Sequence, residues 1–126
     1  MTVLTQPPTM GDVLKYEVNP NYTRETVTLL AGTAYPVGSV LARITASGKY
    51  TLATSGGTDG AQTAAAVLLF AVDATLSDAV GIVVVRGPAI LSRAALAYDG
   101  SVDDAAKITT KIGQLTALGL IVRDTA

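Results

Sequence analysis

Residues Thr58–Leu91 read TDGAQTAAAVLLFAVDATLSDAVGIVVVRGPAIL. A Thr-Asp-Gly-Ala turn leads into an apolar run. An acidic loop follows, then a second apolar run closed by Arg86-Gly87-Pro88. The runs Ala66–Val72 and Gly81–Arg86 are too hydrophobic for strands with one face in water, so both faces are expected to be buried. Their connection, Asp73–Val80, is short enough to make them antiparallel neighbours. Val67, Leu69, Ile82 and Val84 are the expected core of this unit, with part of that surface close to an axis of self-association. The stretch holds no nucleophile–base pair and no metal-ligand cluster. It points to assembly rather than turnover.

Outward from this unit the pattern stays β-rich. Thr26–Leu30 alternates, with Val27 and Leu29 on one face, and Gly32 and Pro36 punctuate a turn-rich link. Val40, Ala42 and Ile44 share a face, and Ser47-Gly48-Lys49 reads as a tight turn into Tyr50-Thr51-Leu52, a hairpin. Ser55–Gly60 is the densest loop signal. After Gly87-Pro88, Ala89–Leu96 continues as a weaker strand. One helix is marked near the C-terminal end. Ser101 with Asp104 three residues on suggests an N-terminal cap, with Asp103 and Asp104 in the first turn. Ala105, Ile108, Ile112 and Leu115 form its apolar stripe, and Asp103–Lys107 is a supportive pair. Gly119 stops it, and Leu120–Arg123 forms a last strand. The expected fold is mainly β with one C-terminal helix, a β-rich α+β class with a compact barrel-like domain over 26–126.

Residues 1–25 differ. Pro7-Pro8, Gly11, Asn19-Pro20-Asn21 and scattered charges leave little to bury, so this segment is expected to be a flexible N-terminal arm. Within it Val13, Leu14, Lys15, Tyr16, Glu17 and Val18 form a strand-like patch. It is either a frayed end or a strand added to the edge of a partner's sheet.

Composition narrows the function classes. One hundred and twenty-six residues suit one domain with a real core. Charged residues are only 15% against 49% hydrophobic, so some apolar surface is expected to be covered by other subunits. The net charge of −1 and the absence of a basic block argue against nucleic acid. Cysteine and histidine are both absent, removing disulfides, thiolate metal sites and the commonest general base. The longest apolar run, Ala64–Val72, has nine residues, and the N-terminus lacks a signal-peptide pattern, so a soluble chain without membrane partners is expected.

Candidate chemistry has simpler explanations. Gly48-Lys49 lacks the phosphate-loop register, since Arg43 stands where its first glycine belongs and Tyr50 follows the lysine. Asp73 and Asp78 could hold calcium but lack the alternating oxygen ligands of such loops. A sugar-cleaving carboxylate pair would need an aromatic-walled cleft, and the chain has no Trp and only Phe70. Ser92 has no histidine to activate it, and Lys107 and Lys111 read as solvated helix residues. Asn21-Tyr22-Thr23 matches a glycosylation acceptor by coincidence. No catalytic residue, metal or cofactor is expected.

Taken in order, certain motifs resemble the head decoration proteins of lambda-type tailed phages. They are Gly57–Ala61 leading into Ala66–Ala74, then Val83–Ile90, then Ala117–Arg123. Gly11–Glu17 followed by Tyr22–Glu25 resembles the longer-armed branch of that family. The resemblance implies a barrel-like domain forming homotrimers on the outside of the head. It implies binding after shell expansion, at local threefold positions, with the major capsid protein as partner, against genome pressure. The arm would order on the shell, and the protein would lie on the virion exterior, in host cytoplasm during assembly. This chain lacks the Trp and His of the lambda protein and differs in its arm, so individual side-chain contacts are not transferable. A tail or spike component, or a small enzyme with an intersubunit Asp/Lys/Arg site, are the other readings. Convergence of the acidic residues in a pocket would favour the enzyme.

Overall fold

The structure is a computed structural model, and it describes residues 10–124. The chain runs α1 (Met10–Val13), β1 (Leu14–Glu17), α2 (Pro20–Thr23), β2 (Arg24–Leu29), β3 (Thr33–Tyr35), β4 (Val40–Arg43), β5 (Tyr50–Leu52) and β6 (Ala66–Leu68). It continues through β7 (Val72–Ala74), β8 (Ala79–Val84), β9 (Ala89–Ser92), a 3-10 turn (Arg93–Ala95), α3 (Ala105–Thr116) and β10 (Leu120–Arg123). Among the described residues the fold is thus mainly β with one C-terminal helix of any length. Five strands close into a barrel in the order β2-β5-β4-β6-β8.

The hydrophobic runs explain the barrel. β6 lies between β4 and β8, antiparallel to both, with Val67 opposite Val40 on one side and Val84 on the other. Alternation then sends Ala66 and Leu68 into the barrel interior beside Leu29, Leu41 and Val83. Val67 and Leu69 face the other way, into a second core with Val40, Val84, Leu91, Leu115 and Leu120. A strand between two cores has no polar positions, hence the continuous apolar sequence.

The second core lies beneath a three-stranded layer of order β1-β9-β10 together with α3. β10 runs parallel to β9, from Leu120 opposite Ala89 to Arg123 opposite Ser92. The other edge of β9 is taken by β1, antiparallel, with a bulge between Leu14 and Tyr16. This differs from the expectation that residues before Thr26 leave little to bury. Val13 is fully buried in the second core, Leu14 packs against it, and Thr23 is buried. The Asn19-Pro20-Asn21 part of its composition forms the start of α2, where Asn19 caps the turn by accepting from the Asn21 N–H at 2.9 Å and Pro20 takes the first helical position. Residues 1–9 lie outside the described chain.

The run expected as one strand from Ala66 to Val72 divides. Leu69 N–H still donates to the Ile82 carbonyl at 3.0 Å, but Phe70 and Ala71 turn outward. The chain resumes as β7, pairing antiparallel with β3, where a turn-rich link was expected. Both strands are three residues long, too short for a periodic signal. β8 starts at Ala79 rather than Gly81, and its ladder with β2 runs from Arg24–Val84 to Leu29–Ala79. The hairpin at Ser47–Lys49 forms as expected, with β4 antiparallel to β5 and Ile44 N–H donating to the Lys49 carbonyl at 2.8 Å.

Two expectations about α3 need correction. Its cap is Asp104, not Ser101: the Asp104 carboxylate accepts from Lys107 N–H at 2.8 Å. Ser101 is held by Asp99, whose Oδ2 accepts from both its N–H (3.0 Å) and its hydroxyl (2.6 Å). The inward face is also rotated. Leu115 is buried as expected and Ile108 and Ile112 are half-buried, but Ala105 is exposed and Lys111 is buried. Lys111 donates to the Gln62 carbonyl, tying the helix to the loop before β6. Lys107 is paired with Asp103 at 2.8 Å.

Candidate interaction surface

Within the segment Val13–Val18, β1 (Leu14–Glu17) is a sheet edge. β1 pairs with β9 on one side, and among the described residues no strand pairs with its other side. Its six positions divide by environment. Val13 is in the core and Leu14 is half-buried, while Lys15 is exposed and donates to the Gly11 carbonyl at 2.8 Å. Glu17 turns back onto its own chain, accepting from the Thr23 hydroxyl at 2.6 Å and from Arg24 at 2.5 Å. Burial would raise its pKa, but the Arg24 and Thr23 hydrogen bonds outweigh this and hold it below the usual value. Tyr16 (52% exposed) and Val18 (49%) are left outward. Tyr22, also exposed, lies under the Arg86 guanidinium, 5.4 Å from ring centroid to cation, and Arg86 pairs with Glu25 at 2.8 Å.

A second surface lies on the barrel wall. Of the four residues expected near an axis of self-association, Val67, Leu69 and Val84 are fully buried within the single chain. Ile82 is 39% exposed and Val80 65%. On β8 they continue the face that carries Val84, past the point where the β1-β9-β10 layer stops covering it. Their partners across the ladder are Thr26 and Thr28, also exposed. The result is a strip of two aliphatic and two hydroxyl side chains without a charge. β8 is therefore not covered on both faces along its length within one chain.

The acidic residues do not converge. The carboxylates of Asp59, Asp73, Asp99 and Asp104 each accept from a backbone N–H two or three residues on. Asp78 accepts from Lys49 at 2.6 Å and from Ala31 N–H at 2.8 Å. These two contacts, Lys49 first, hold its pKa below the usual carboxylate value. Asp103, paired with Lys107, is lowered for the same kind of reason. Among the described residues no group of three His, Cys, Asp or Glu could hold a metal ion. Nor is any helix there long and apolar enough to cross a membrane.

Sequence reasoning passed over the turn after β7. Leu76, there, is 97% exposed. Thr75 and Ser77 beside it, and Asp73 and Asp78 around it, were the available signal for a tight, polar-framed turn presenting one apolar side chain.

Among curated proteins none matches the chain. The sequence model of the family described as bacteriophage lambda head decoration protein D matches residues 3–120, nearly the whole length, and the chain belongs to that family.

Proposed function

We propose that the protein is a homotrimer that binds the major capsid protein on the outside of the expanded phage head, at local threefold positions, and stabilises the shell against genome pressure. The family match across residues 3–120 carries this reading. The role needs no turnover, only affinity for one shell state over another. Binding only the expanded shell then stabilises that shell by mass action.

The N-terminal segment, residues 1–25, is the proposed attachment. An open strand edge is a template for a further strand, in which backbone hydrogen bonds hold the partner and alternate side chains choose it. The outer edge of β1, with Tyr16 and Val18 outward, supports this. One such contact is modest. Three on a trimer make the later contacts intramolecular and raise avidity by about 10²–10⁴. The neutral Thr26, Thr28, Val80, Ile82 strip supports self-association.

The test is co-sedimentation with expanded and unexpanded capsids. Because Val13 is core, deleting all of residues 1–25 would unfold the layer, so the informative variants are deletion of residues 1–9 and the surface change Tyr16→Asp with Val18→Asp. The intact protein should pellet with expanded shells only, and the variants should remain folded but pellet weakly. Equal binding to both shells, or to neither, would overturn the reading and favour another virion component.

A further inference from the structure

We infer that the turn after β7 of one copy inserts Leu76 into an apolar groove on the next copy, making the contact between subunits head-to-tail. This rests on the homotrimer reading above. The groove is open, about 570 Å³, and lined by Ala34, Tyr35, Pro36, Ala71, Val72 and Asp73. Its one charged group, Asp73, is held by its neighbour: Asp73 Oδ1 accepts from the Thr75 N–H at 3.0 Å and from the Thr75 hydroxyl at 2.7 Å. What remains is a surface suited to an aliphatic side chain.

The same chain presents such a side chain. Leu76 is 97% exposed, so it does not fill the groove of its own molecule. The turn that carries it is fastened on both sides, by Thr75 to Asp73 and by Asp78 to Lys49 and the Ala31 N–H. A fastened turn loses little conformational freedom on docking, which favours it as an anchor. A rotationally symmetric ring needs two different complementary patches, because each subunit meets one neighbour with one face and the other neighbour with another. A protruding leucine and a groove satisfy that requirement.

The chain has no cysteine, so a designed disulfide is a clean reporter. Leu76→Cys and Ala71→Cys in one chain are separated by the length of β7, about 10 Å or more, beyond the ~7 Å Cα limit for a bridge. They can therefore join only between copies. Mild oxidation of the double variant should give a covalent trimer on a non-reducing gel, while each single variant should give none. Leu76→Asp, at a fully exposed site, should fold normally and weaken self-association at least tenfold by light scattering. A trimer in solution without crosslinking, and with Leu76→Asp unchanged, would overturn the inference and leave the trimer standing. A monomer at all concentrations would overturn the trimer reading and this contact with it. If Leu76→Asp kept its trimer mass but lost binding to expanded shells, the turn would be a capsid contact, and the inference would again be wrong.

Discussion

Lys111 Nζ donates to the carbonyl oxygen of Gln62, and its other acceptor, Gln114 Oε1 at 3.4 Å, is likewise neutral. The lysine is 2% exposed. An ammonium with neutral partners in the interior is opposed by desolvation, which holds its pKa below the ordinary 10.5. In the window between the folded pKa and 10.5 the unfolded chain binds more protons than the folded one, so stability rises with pH there. The urea midpoint of the wild type, measured relative to Lys111→Met, should increase from neutral pH to pH ~10. Parallel profiles for the two proteins would show that the charge is not the opposing element.

Two glycines differ in what they permit. A Cβ at Gly87 would lie 1.8 Å from the Gly119 carbonyl oxygen, backbone against backbone, where the end of α3 passes β9. Gly87→Ala should therefore destabilise by about 1–3 kcal/mol or more. At Gly113, inside α3, an added Cβ would meet nothing within 4 Å. Gly113→Ala should stabilise by about 0.5–1 kcal/mol through helix propensity alone. Chemical denaturation of both variants checks the pair.

The cap of α3 offers a sharp contrast. Asp104→Ala removes the acceptor for Lys107 N–H and should cost about 1 kcal/mol. Asp104→Asn, which keeps the acceptor oxygen, should recover most of that loss. A null effect of Asp104→Ala on the denaturation midpoint would place the cap elsewhere.

Val84 and Ile82 are two residues apart on one face of β8, yet only Val84 is covered. Val84→Asp would bury an unpaired charge between the barrel and the outer layer, at a cost of several kcal/mol, and should prevent folding. Ile82→Asp should leave a cooperatively folded monomer and reduce self-association. Circular dichroism melting and light scattering together separate these outcomes. A folded Val84→Asp protein would mean that the second core is misassigned.

Periodicity and punctuation made much of the architecture legible from residue order alone. The uninterrupted Ala66-Val67-Leu68-Leu69 required a strand with two apolar sides, and β6 has them because it lies between two cores. The Gly48 turn and the Gly119 stop, both at positive φ, were readable because that backbone region favours glycine. Other features depend on residues far apart in sequence. Lys111 looks solvated in a helical pattern, and only the approach of Gln62, 49 positions away, makes its burial possible. Val13 looks like part of a polar arm until β9 offers an open edge for β1. Val80 and Ile82 are as apolar in the sequence as Val84, but whether each is covered depends on how far the β1-β9-β10 layer extends over the barrel. Local pattern determined which residues could form strands, turns and a helix, because propensity and side-chain alternation act over a few residues. Which apolar faces were covered within one chain, and which were left for a partner, was decided by tertiary packing, because burial depends on what a face meets.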